Sequence, residues 1–131
     1  MQLTTLEQLK WIHDCVLVGL AHEISSDGVR LIRLTIECPP DLGYEPWEGK
    51  TLLLAAVDVA VSQYFLWSVA GPETIDAIRP GVLTDIRARM TEAKEMGMRF
   101  PGLEFLISFH SGSLLEVVCK ELQVEVISLV S

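Results

Sequence analysis

The groups best suited to chemistry in this chain are three histidines, three cysteines and a scatter of isolated acids. His13-Asp14-Cys15 sets an imidazole, a carboxylate and a thiol side by side, and His22 and His110 are the other imidazoles. A zinc site needs four donors on one ion, usually from two closely spaced pairs. Only His13 and Cys15 are close, and strand alternation puts them on one face with Asp14 opposite. His110 reaches them only where the terminal hairpin lies beside the first. No metal site is expected. A thiol nucleophile at Cys15 or Cys119 would need an exposed, electropositive setting. Leu114-Leu-Glu-Val-Val-Cys119 reads instead as a packed strand, where thiols are inert. Cys15, Cys38 and Cys119 are odd in number, distant in sequence and without a CxxC pair. They are expected to be reduced thiols of a cytoplasmic protein, not a disulfide frame.

The acids pose a second question. Glu104, Glu116, Glu121 and Glu125 alternate along the last strands, and Glu37 and Asp58 fall on earlier ones. Two carboxylates across a cleft can work as acid and base. No tyrosine, histidine or arginine accompanies these in a hydrolytic pattern, so a solvated sheet face that discourages edge pairing is expected. Asp58 stands alone in an apolar run and needs an arginine such as Arg30 or Arg33, solvent or a pocket. With Tyr64 and His110 it makes the candidate pocket of a small-molecule-binding or minor enzymatic domain. No Walker loop, GxGxxG or GxSxG occurs, and Gly71-Pro-Glu-Thr places an acid where a phosphate cradle wants lysine. No cofactor is expected, and the balance leans away from an enzyme.

The elements that must carry these groups follow from periodicity. Thr4 or Thr5 caps a short N-terminal helix, with Glu7 or Gln8 completing a capping box. Asp14 to Ala21 and Val29 to Cys38 read as strands around Ser25-Ser-Asp-Gly28, because Asp-Gly supplies the positive φ of a tight hairpin. Pro39 to Gly49 is a loop by composition. Leu52 to Val69 is a long strand, or two joined by a bend, with Val57, Val59, Val61, Phe65 and Trp67 on one face. Gly71-Pro72-Glu73 opens a short helix ended by Pro80-Gly81. A second helix covers Leu83 to Met96, with Leu83, Ile86, Met90 and Ala93 on its apolar face and Gly97 as its stop. Leu103 to His110 and Leu114 to Val130 are β-rich runs around Ser111-Gly112-Ser113. The expectation is one α+β domain over residues 1–131. It is a mainly antiparallel sheet built from hairpins, with a short N-terminal helix and two central helices packed on it.

The loop holds the best candidate interaction site. Asp41, Tyr44, Glu45, Trp47 and Glu48 set two aromatics among three carboxylates, the composition of an anchor for a basic partner. The alternative is that Tyr44 and Trp47 fold back to cap a sheet edge. Ten basic against eighteen acidic residues leave a formal charge of −8, which repels nucleic acid and anionic membrane. Half of the basic residues lie between Arg79 and Arg99, but with acids interleaved. The start of the chain lacks the basic and apolar regions of a signal peptide. Thr51 to Ala70 approaches spanning length, but Asp58 interrupts it. Mean hydropathy of +0.37 points to a large core or to apolar surface covered in a homodimer.

Two stretches also resemble a known group. Trp11-Ile-His13-Asp14-Cys-Val-Leu, running into a hairpin that ends Leu34-Thr-Ile-Glu-Cys38, is similar to the opening of small bacterial immunity-type proteins of polymorphic toxin systems and of related families of unknown function. Phe109-His-Ser-Gly112-Ser-Leu-Leu-Glu116-Val-Val-Cys119 resembles their closing hairpin. The resemblance covers about half of the chain and carries over no catalytic residue. The net charge, the acidic aromatic loop and the lack of a reactive set point to a non-enzymatic, cytoplasmic interaction domain. The resemblance implies its narrower form, an immunity-type protein that neutralises a basic toxin partner by occluding its surface.

Overall fold

The computed structural model describes residues 1–43, 46–65 and 72–128. Nine strands and two α-helices follow one another within them. β1 (Gln2–Thr4) precedes α1 (Leu6–Leu9), where the Thr5 side chain accepts from the Gln8 N–H as expected of a cap. A 3₁₀ turn, Lys10–Ile12, leads to the hairpin of β2 (Val16–Ile24) and β3 (Arg30–Glu37). Gly28 sits at φ 84 in its turn, which is what the Asp-Gly pair foretells. β4 (Lys50–Val57), β5 (Val61–Phe65) and β6 (Glu73–Pro80) follow, then α2 (Thr84–Glu95). β7 (Leu103–Phe109), β8 (Leu114–Cys119) and β9 (Glu121–Ser128) complete the chain.

All pairings are antiparallel, in the order β1-β9-β4-β3-β2-β6-β7-β8-β5. That order bends back on itself. β4 pairs with β9 while β5, its continuation, pairs with β8, which runs into β9. The two corners are bonded side by side, Ala60 N–H to Val118 C=O and Lys120 N–H to Val57 C=O. Taking β4–β5 and β8–β9 as two bent strands, the ladder runs β2, β3, β4–β5, β8–β9, β7, β6 and returns to β2 through Val16–Thr74 and Leu17–Glu73. A six-membered closed barrel results, with β1 added to β9. Its interior is apolar, including Ile32, Leu34, Ile36, Leu52, Leu54, Phe105, Ile107 and Leu115, each at most 3% exposed. Ile12 and Leu9 close over it from the N-terminal turns.

The α+β class stands, but one of the two central helices is a strand. Residues 73–80 form β6, because the fold offers them a slot between β2 and β7. Ile75 N–H donates to Cys15 C=O, and Asp14 N–H to Ile75 C=O. Thr74, Ile75 and Ile78 suit that slot through their β-branched side chains. Pro80 falls at the strand's last position, where a missing donor costs little. α2 matches its expected range and stops where Gly97 takes φ 94. Ile86 and Met90 bury against Val118, with Val61, Val82 and Phe100 around them, whereas Leu83 is 42% exposed. β8 is thus covered on both faces, which explains its nearly unbroken apolar run.

The run through Val57 to Phe65 divides at a bend. Asp58 takes φ 59 there and the facing changes. Val59 enters the barrel core while Val61 packs toward α2. The expected single face therefore does not persist, and Trp67 lies outside the described residues.

Candidate functional site

At one end of the seam that closes the barrel, the start of β2 meets the end of β3 and the start of β6. β6 in turn meets the end of β7, whose turn leads into β8 beside the end of β5. His13 and Asp14 thus lie beside the 39–49 loop on one side and beside Glu73, Tyr64 and the turn at 110–113 on the other. Asp58 lies at the corner between β4 and β5. It is six positions back from Tyr64 along the chain, so the three candidate pocket residues do not share one site.

A buried carboxylate closes the inner side of this end. Glu73, 6% exposed, faces inward from the first position of β6. Its Oε2 accepts from the Tyr64 hydroxyl at 2.6 Å, and its Oε1 accepts from Ser113 Oγ at 2.8 Å and from Ser111 Oγ. Burial opposes its ionisation, but hydrogen bonds from Ser111, Tyr64 and Ser113 outweigh it and hold the carboxyl below its usual range. Tyr64 is shifted the other way, by burial first and then by its bond to Glu73 and that group's charge. Its ring meets Phe109 edge-on at 6.2 Å between centroids. β5, β6 and the β7–β8 turn are tied together through one ion.

This arrangement suits structure better than catalysis. A general base works best with its pKa raised toward the working pH, and Glu73 is held lower. The hydroxyls of Ser111, Ser113 and Tyr64 are committed as donors to it. Sequence patterning does not single out Glu73 or the two serines as site residues. It assigns Glu73 to a helix start and Ser111 to a turn, and the β-branched content of 74–78 is the signal that points the other way.

The outer side of the same end is exposed and acidic. Asp14, forced to φ 66 where the chain turns into β2, receives both neighbouring imidazoles. His13 Nδ1 lies 3.5 Å from its Oδ2, and His110 Nε2 lies 3.4 Å from its Oδ1 and 3.8 Å from Asp76 Oδ1. His13 and His110 thus converge. Cys15 does not join them, because the turn at Asp14 breaks the alternation and sends its side chain into the core. Among the described residues no three metal-binding side chains are placed to hold an ion. His22 is at the opposite end, lining a 610 Å³ groove with Arg30 and Val59.

The loop departs from its expected role at its principal aromatic. Trp47 is 9% exposed and belongs to the barrel core, so it has folded back. Tyr44 and Glu45 lie outside the described residues. Glu48 Oε1 accepts the Gly43 N–H at 2.6 Å and braces the loop, and Asp41 is exposed. Beside the loop a groove of 510 Å³ runs between Asp14, Glu37, Cys38, Pro40 and Lys50.

The terminal glutamates are not one solvated face. Glu116 is 3% exposed beneath α2, and Glu104 binds Arg87 of that helix. Glu125 is exposed, and Glu121 accepts from the Gln123 side chain at 3.0 Å. A helix packed on β7 and β8 has taken the place of solvent. No helix among the described residues is long and apolar enough to cross a membrane. No family model matches the sequence, and neither a curated protein nor a solved structure matches it.

Proposed function

We propose that this chain is a non-catalytic interaction domain whose acidic barrel end receives a basic protein partner. The observation that carries this reading is the gathering of exposed Asp14, Glu37, Asp41 and Asp76 around one end. A formal charge of −8 extends the field beyond contact range. The network around Glu73 supports it by fixing that end rigidly, which lowers the ordering cost of binding. The commitment of Ser111, Ser113 and Tyr64 to Glu73 weighs against a hydrolytic role. Immunity-type neutralisation of a basic toxin is the narrower form of the proposal, resting on the two stretches that resemble such proteins. A cytoplasmic setting belongs to that narrower form.

The test compares the wild type with an Asp14→Lys/Glu37→Lys/Asp76→Lys variant as bait in an extract of the source organism. The reading expects a basic protein that the wild type retains, that rising salt releases and that the variant loses. The purified pair should reassociate, and for a toxin, co-expression should restore growth. Retention unchanged by the charge reversal would overturn it.

A second reading, small-molecule binding, is favoured by a 490 Å³ groove between β5 and α2 lined by Val61, Ile86, Met90, Met98 and Phe100. Apolar ligands that protect Met98 from oxidation would support that reading. A homodimer would also cover such surface, and sedimentation at micromolar concentration tests it.

A further inference from the structure

Cys15 and Cys38 lie far apart in sequence, yet their sulfurs are 3.1 Å apart inside the barrel. The register explains the meeting. Val16 pairs with Glu37, so one step outward sets Cys15 opposite Cys38 across β2 and β3. Their backbone bonds point away from each other. Cys15 N–H donates to Ile12 C=O and its C=O accepts from Ile75, while Cys38 N–H donates to Lys50 C=O. The two therefore oppose each other as a non-hydrogen-bonded pair, whose Cα atoms lie about 4.5 Å apart, within the range that a disulfide spans. We propose that Cys15 and Cys38 are a disulfide-forming pair, oxidised by a small disulfide that enters through the groove beside Cys38.

The roles of the two thiols follow from their surroundings. Cys15 is fully buried, whereas Cys38 retains 5% exposure and lines the groove with Lys50. The Cys15 S–H donates to the Cys38 sulfur, which favours the Cys38 thiolate and lowers its pKa, while the same bond and burial raise that of Cys15. Cys38 is then the attacking sulfur and Cys15 the resolving one. The Cys38 thiolate displaces one thiolate from the incoming disulfide, forming a mixed disulfide. Cys15, losing its proton to water, displaces the second. Two protein thiols become one disulfide, and the reagent leaves as two thiols carrying the two electrons and both protons. Cys119 is outside this chemistry, with its sulfur donating to Glu121 C=O at 3.5 Å and burial pushing its pKa up to about 11.

Asp14 and Glu37 line the groove, so an uncharged reagent is the appropriate probe. The native protein is equilibrated with 2-hydroxyethyl disulfide and, in parallel, refolded from denaturant in the same buffer. Both samples are acid-quenched, unfolded, alkylated and mapped by mass. The expected product has lost two hydrogens, carries alkyl only on Cys119 and yields a Cys15–Cys38 linked peptide. Cys119→Ser should form the same bridge. Closing a loop that spans 23 positions should raise Tm by on the order of 10 °C. Three alkylated cysteines in the refolded sample, an adduct left on Cys38 beside a free Cys15, or a bridge to Cys119 would each overturn the proposal. Wild type and Cys119→Ser both keep the pair intact, so the outcome does not depend on whether a Cys15→Ser variant folds.

Discussion

The N–H of Leu83, the residue that caps α2, donates at 2.6 Å to Oε2 of Glu116, a carboxylate 3% exposed in the middle of β8. The charge sits where the helix presents its unsatisfied donors and the positive end of its dipole. Arg87, one turn on, binds Glu104 of the neighbouring strand, so two glutamates of the sheet fasten the helix. The start of α2 is set by β7 and β8 and not by a side-chain cap of its own.

Replacing Glu116 by Ala should therefore cost about 2 kcal/mol, the usual penalty for removing one partner of a buried charge-assisted hydrogen bond. Glu116→Gln keeps an acceptor but loses the charge at the helix start, and should cost about 1 kcal/mol. Urea unfolding measures both, and amide exchange should locate the loss in the first turn of α2. Equal exchange in that turn would show that the helix does not depend on this carboxylate.

Glu73 should give the protein an acid-sensitive share of its stability. Its folded pKa lies below the unfolded value because its three hydroxyl donors outweigh the effect of burial. The sign follows. The contribution is complete above the unfolded pKa of about 4.3 and is lost as pH falls through the folded pKa. Glu73→Gln should be less stable than wild type at pH 7, by about 1–3 kcal/mol for a disrupted buried network. The difference should shrink on acidification. Urea midpoints taken across the acid range test this, and a difference independent of pH would mean that the carboxylate charge has no part in it.

The same contrast between local and distant causes separates what can be read from the sequence from what cannot. Asp27-Gly28 and Ser111-Gly112 mark their turns because the backbone chemistry is local. The range of α2 is legible in the same way, from its apolar spacing and Gly97. Pro72 and Glu73 imitate a helix start, and only the neighbouring β2 and β7 make residues 73–80 a strand. Asp14 and Asp58, both at positive φ, break the alternation from which facing is read. For that reason Cys15 parts from His13, and Val59, beyond the corner, no longer continues the facing of β4. Of the candidate site, the residue types at His13, Asp14 and His110 are readable. Their convergence on Asp14 and the partnering of Glu73 with Ser111 arise from closing the barrel, through pairings distant in sequence.

Asp58 illustrates how a corner residue can be mistaken for a pocket acid. Its φ of 59 is tolerated by aspartate and free for glycine, but strained for a β-branched side chain. Asp58→Gly should be nearly neutral, within about 1 kcal/mol of wild type. Asp58→Val should cost about 1–3 kcal/mol through strain at that bend. Thermal melts of the two variants decide the matter. Equal losses would mean that the carboxylate, and not the backbone, is what the corner requires.

Trp47 separates the core from the proposed binding surface within a single loop. At 9% exposure among core residues, its truncation should remove about 3–5 kcal/mol of stability, as for other large aromatics cut back to alanine. Asp41, exposed on the same loop, makes no comparable demand, so Asp41→Lys should change stability by no more than about 0.5 kcal/mol. The two should exchange places when a basic partner is bound. Asp41→Lys should speed dissociation or slow association in a salt-dependent way, because it reverses a charge in the steering field. Trp47→Ala should act on affinity only as far as it loosens the loop. Measuring both variants for unfolding and for partner affinity tests the assignment. A Trp47→Ala protein of full stability but weakened binding would restore this side chain to the partner-facing surface.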